Sequence, residues 1–220
     1  MITVKNLSIS YQQNHYILEN INLNIKKGSF NVFIGETGIG KTTLLKIISG
    51  LIKPNKGEIM IGDQNLSKLS HPYLSIFRRG IGLILEEFPL LQDYTIYENL
   101  SLPLKISNLK KKNITKKINY FLKLFNMTSM VNRFPKQLSQ GENQKIHIIR
   151  AIINNPFLLV ADEPFSNIDT EESIKIIQIL QSLQRKGLTL LTTSHEKYDP
   201  SNKNVIYFKI FNKNSIKNEN

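Results

Sequence analysis

The chain has 220 residues, 40% of them hydrophobic, which suffices for one well-filled core with at most a small subdomain attached. It contains no cysteine, so disulfides, thiol catalysis and cysteine-ligated zinc or iron–sulfur centres are excluded. A formal charge of +12 admits a nucleic acid partner, an anionic membrane surface, or only a lysine-rich background.

In chain order, Met1-Ile2-Thr3-Val4-Lys5 reads as a strand rather than a signal peptide, and no apolar run reaches the ~20 residues of a membrane span. Alternation over residues 3–9 and 21–25, divided by the polar stretch 12–15, predicts two antiparallel strands. The apolar run Phe30-Asn31-Val32-Phe33-Ile34 then leads directly into Gly35-Glu36-Thr37-Gly38-Ile39-Gly40-Lys41-Thr42-Thr43, which satisfies G-x-x-x-x-G-K-[ST]. Glycines at 35, 38 and 40 allow successive backbone N–H groups to turn inward around phosphate oxygens, where a Cβ would obstruct. Ile39 and Thr43 belong to the same nucleotide-binding stretch. Lys41 reaches the β- and γ-phosphates and the Thr42 hydroxyl ligates Mg²⁺, while the residues that follow continue as a helix whose N-terminal dipole faces the anion. ATP with Mg²⁺ is therefore the expected ligand.

Further short strands are expected at 59–61 and 82–85, and Phe157-Leu158-Leu159-Val160-Ala161 and Leu188-Thr189-Leu190-Leu191-Thr192 read as buried parallel strands. Residues 146–154 and 170–183 carry helical periodicity, with Glu171 and Glu172 placed favourably at a helix start. Between 88 and 137 the pattern is helical with several turns and no clear strand. Seven lysines fall between Lys105 and Lys123 with no acid among them, a basic stretch suited either to solvation or to anionic lipid headgroups. The segment after Tyr207 reads as a frayed basic tail.

The strand 157–161 ends in Asp162-Glu163, and two acids at a strand end can divide two roles. Asp162 stays ionised in the Mg²⁺ shell, while Glu163 orients or deprotonates an attacking water.

Over nearly its whole length the chain resembles the ATP-binding cassette (ABC) ATPases. Leu138-Ser139-Gln140-Gly141-Glu142 is similar to the LSGGQ signature, Ser166-Asn167-Ile168-Asp169 to the D-loop and Thr193-Ser194-His195 to the switch-histidine segment, and Tyr11 is similar to the aromatic that stacks on adenine. The resemblance implies an α/β P-loop NTPase core with a mixed sheet flanked by helices and an antiparallel β subdomain. One domain over 1–220 would comprise a nucleotide-binding core at 1–87 and 138–208, a helical insertion at 88–137 and a basic tail at 209–220. It implies catalytic roles for Glu163 and His195, and nucleotide contacts from Tyr11 and from Ser139, Gly141 and Glu142 of a second copy, in a head-to-tail homodimer. It also aligns Glu86 with the Q-loop glutamine, as a metal ligand beside Thr42 and Asp162. A carboxylate there can bind Mg²⁺ but cannot donate as an amide does, which implies slow turnover. Gln140 replaces the first signature glycine.

Within the family, Phe77-Arg78-Arg79-Gly80-Ile81-Gly82, Phe88-Pro89-Leu90-Leu91 and Tyr97-Glu98-Asn99-Leu100 resemble the FtsE group of cell-division cassettes, close to the lipoprotein-release and macrolide-export groups. That resemblance implies an integral membrane partner of FtsX type, or a permease of the export groups, and a peripheral position on the cytoplasmic face of the inner membrane. Phe88, Leu90, Leu91 and Tyr94 are the expected docking residues. Cassettes that act on nucleic acid usually carry two cassettes or long inserted arms, which this chain lacks, so no nucleic acid partner is expected.

Overall fold

The structure, a computed structural model, describes residues 2–12, 15–198 and 204–219. Among the described residues there are two sheets and six α-helices. The smaller sheet is antiparallel: β1 (Ile2–Gln12) pairs with β2 (His15–Ile25) and with β4 (Lys56–Ile61), and β5 (Gln64–Asn65) extends β4. Residues 13 and 14 of the expected polar connection lie outside the described residues.

The larger sheet has the order β10-β9-β3-β8-β7-β6, formed by β3 (Phe30–Ile34), β6 (Ile81–Ile84), β7 (Leu158–Ala161), β8 (Thr189–Ser194), β9 (Val205–Asn212) and β10 (Ser215–Asn218). All its neighbours are parallel except the β9–β10 hairpin. The apolar run at 30–34 is buried on both faces, and its pleat divides the core. Phe30, Val32 and Ile34 join the cluster under α3 (Ile96–Ile106), α4 (Lys111–Leu124), α5 (Gln140–Ile152) and α6 (Thr170–Gln184). Phe33 points the other way, toward α1 (Lys41–Ile48), α2 (His71–Arg78) and the small sheet. Both phenylalanines are fully buried, each contributing on the order of 2–3 kcal/mol of apolar burial.

Between 88 and 137 the structure has α3, α4 and two short 3₁₀ turns. Two expectations change. The helix read from residue 146 begins at Gln140, because Ser139 and Glu142 form a reciprocal capping box and the polar first turn hides the apolar periodicity. The frayed basic tail is instead an ordered edge: β9 runs to Asn212, β10 returns along it, and the Glu219 N–H donates to the Tyr207 carbonyl at 2.8 Å. Its lysines do not prevent pairing, because they sit at a solvated edge where Lys209 reaches Glu219 and Lys213 reaches Glu19.

Candidate active site

The parallel register explains why distant residues meet. Ile34 aligns with Ser194 across β3–β8, and Ala161 with Thr192 across β7–β8, so the phosphate loop, Asp162 and His195 all leave neighbouring strands at the same edge. Ligands of open α/β sheets bind at that carboxyl edge, where crossovers separate the loops.

Gly38 and Gly40 of the loop both take left-handed backbone conformations. Gly40 is the N-cap of α1 at φ 104°, a left-handed conformation, and a Cβ there would lie 3.0 Å from the Leu18 side chain. The Lys41 ammonium is buried and donates to the loop's own carbonyls, Gly35 O at 2.7 Å and Glu36 O at 3.0 Å. A buried ammonium held only by two neutral carbonyls is suited to exchange them for phosphate oxygens.

Beside it, the Thr42 hydroxyl donates to Asp162 Oδ2 at 2.5 Å. The Thr193 hydroxyl donates to the other oxygen of the same carboxylate and accepts the Glu163 N–H at 2.9 Å. Glu163 Oε1 lies 2.8 Å from His195 Nε2. Thr42, Asp162, Thr193, Glu163 and His195 thus form one continuous chain of polar contacts. Thr193 is the member that sequence reasoning overlooked as a ligand, because a buried strand threonine has no signature of its own. Among the described residues no group of three or more His, Asp or Glu side chains could hold a metal ion. The Thr42 hydroxyl and the Asp162 carboxylate still fit Mg²⁺, which is commonly bound by one or two protein oxygens together with phosphates and water.

Other expected residues stand apart. Glu86 is exposed in the turn after β6 and has no hydrogen bond or ion pair to Thr42 or Asp162 among the described residues. Its neighbour Glu87 instead forms the ion pair with Lys46 of α1. The paired ammonium holds Glu87 below the usual carboxylate range, and Lys46 rises in turn. Tyr11, next to the last residue of β1, has 61% of its surface exposed. Ser139 and Glu142 are committed to each other's backbone N–H groups at the start of α5. Gly141 must be glycine for packing reasons, since a Cβ would sit 2.8 Å from the Asn167 carbonyl of the segment read as the D-loop. Of the four expected docking residues, Phe88, Leu91 and Tyr94 are exposed, but Leu90 is 2% exposed and belongs to the core.

A model of the ABC transporter family matches residues 18–166. The chain belongs to the ABC transporter family. A methionine import ATP-binding protein, MetN, of Francisella tularensis subsp. holarctica is 36% identical over 200 residues, which cover 89% of this chain and 57% of that protein. The cassette therefore spans little more than half of the length of the MetN relatives it matches. An uncharacterised ABC transporter ATP-binding protein of Methanocaldococcus jannaschii, MJ1508, is 37% identical, with 82% of this chain and 81% of that protein covered. Among solved structures, the dimeric bacterial ABC transporter cassette MJ0796 superposes with a TM-score of 0.88 at 32% identity, over 99% of this chain and 98% of that one. A dimer of the same cassette is also described in a post-hydrolysis state with ADP and Pi. No helix of the described residues is long and apolar enough to cross a membrane.

Proposed function

We propose that this cassette binds MgATP at the loop 35–43, closes on a second copy of itself, and couples hydrolysis to a membrane-embedded partner. The supporting observation is the unbroken run of contacts from Thr42 through Asp162 and Thr193 to Glu163 and His195. Bound magnesium supplies charge neutralisation on the phosphate oxygens. Lys41 exchanges the Gly35 and Glu36 carbonyls for those oxygens, and Thr42 and Asp162 hold the metal. Glu163 orients the attacking water and accepts its proton, and His195 steadies the Glu163 carboxylate. Ser139 and Gly141, at the start of α5, serve the nucleotide of the opposite copy, and Tyr11 stacks on the base.

The partner docks on the exposed side chains of Phe88, Leu91 and Tyr94, beside a groove of about 460 Å³ that continues to Leu102 and Ile106 of α3. Its identity has two supported readings. The wording from Phe77 to Leu91 favours a cell-division complex with an FtsX-like subunit, and the MetN relatives favour an import permease. In either, the cassette sits at the cytoplasmic face of the membrane. Purification of the tagged chain from membranes with MgATP decides between them, by the class of membrane subunit recovered. Leu91→Asp should retain ATP binding and lose membrane recruitment, and unchanged recruitment in a fractionation assay would remove the docking assignment.

A further inference from the structure

The nucleotide loop, Asp162 and His195 follow the C-terminal ends of parallel strands. At the opposite edge, where those strands begin, lies a cavity of about 810 Å³. Lys27 precedes β3, Phe157 precedes β7 and Leu188 precedes β8, and all three line it. The five residues of β3, about 16 Å of extended chain, therefore separate this cavity from the phosphate loop.

Four lysines line the cavity and no Asp or Glu does. Lys27 comes from the turn between β2 and β3, Lys116 and Lys117 from α4, and Lys186 from the turn between α6 and β8. Three stretches far apart in sequence thus bring like charges to one concavity. None of the four has an ion pair or side-chain hydrogen bond among the described residues. Burial pulls the Lys117 ammonium below the ordinary lysine value, with no carboxylate to offset it. The amides of Asn113 and Asn155 and the Tyr120 phenol also line the cavity and can add neutral donors. The remaining wall is apolar and includes Phe121, Phe157 and Leu183.

We propose that this cavity is a second anion site, which binds a phosphate-bearing amphiphile: the phosphate between the lysines and an apolar body against Phe121, Phe157 and Leu183. Lysine ammoniums suit a phosphate because they act as point charges without requiring bidentate geometry. The volume falls among those of sites for whole small molecules, and a bare phosphate would leave the apolar wall uncovered. A free phosphorylated metabolite and the headgroup end of an anionic lipid share this chemistry.

The test is calorimetric titration of the full chain, saturated with the magnesium complex of a non-hydrolysable ATP analogue so that the phosphate loop stays occupied, with monomeric dihexanoyl phosphatidic acid and, separately, with inorganic phosphate. The phosphatidic acid should bind, phosphate alone should bind at least about tenfold more weakly, and K117Q/K186Q should weaken the phosphatidic acid by about tenfold or more while K117R retains it. ATP affinity should be unchanged in all variants. No heat with phosphatidic acid, equal affinity in K117Q/K186Q, or equal affinity for inorganic phosphate overturns the proposal. Sedimentation with phosphatidylglycerol vesicles then separates the two sources once soluble binding is found. Retention that K117Q/K186Q loses assigns a lipid headgroup, and absence of retention assigns a free metabolite, both upholding the site.

Discussion

Glu163 adopts φ 43°, a left-handed conformation uncommon for a residue with a Cβ. Such a conformation costs on the order of 1–3 kcal/mol and persists where the surroundings impose it, here through the N–H held by Thr193 and the carboxylate held by His195. If this geometry serves proton acceptance, Glu163→Gln should lower ATP turnover by about 10²–10⁴-fold with ATP affinity preserved, in a phosphate-release assay beside nucleotide titration. Turnover within about threefold of the parent would remove Glu163 from the base role. Thr193 carries a prediction of its own. Thr193→Val leaves Asp162 Oδ1 and the Glu163 N–H unpaired and should cost about 1–3 kcal/mol in denaturant unfolding, with Thr193→Ser restoring most of it. At this scale the loop glycines, Lys41, Thr42 and the Asp162-Glu163 pair were legible as candidates, because each belongs to a short run of adjacent residues. Thr193 was not, because its partners lie about 30 residues upstream and reach it only across the β7–β8 pairing.

The segment leaving β6 is gripped by two helices. Arg150 of α5 donates to the carbonyls of Phe88 and Pro89. Asn99 of α3 is fully buried; its Oδ1 accepts the Leu91 N–H at 2.8 Å, and its amide donates to the carbonyls of Leu91, Tyr94 and Thr95. A polar side chain there is stable only because every atom is paired. Asn99→Ala should therefore destabilise the fold by about 2–3 kcal/mol and speed hydrogen exchange at the Leu91 amide. A change below about 0.5 kcal/mol would show that the segment holds its shape without this bracket. Asn99 stood in the sequence only as part of a family wording. The start of α5 was hidden for a related reason, since Ser139 to Lys145 contains no apolar residue from which helical periodicity could be read. Likewise, the ion pair of Glu87 with Lys46 of α1 had no sequence signal, since the two residues lie far apart in the chain and meet only through the turn after β6.

Across the whole molecule, His147 on α5 should shape the acid limb of stability. Burial, with a smaller contribution from Arg150, lowers it from 6.5 to about 4. Its protonated form is disfavoured in the folded state, so the unfolded chain binds the extra proton between these values. Stability is then full above about pH 6.5, falls as pH drops toward about 4, and loses no more from this group below that, an effect of about 3 kcal/mol at most. His147→Asn should flatten that limb in denaturant melts across the same range, and an unchanged slope would assign the acid sensitivity to the carboxylates.

By itself the sequence determined the glycine-rich loop motif, the strand-end acids and the α/β class, since motif spacing and alternation are properties of neighbouring residues, while the division into two sheets came from the family resemblance. Tertiary structure alone decided that Thr193 joins the acids, that the last lysines form a strand, and that four lysines share one cavity. Each of those depends on which strands and turns become neighbours, and crossovers set that pairing between residues far apart in the chain.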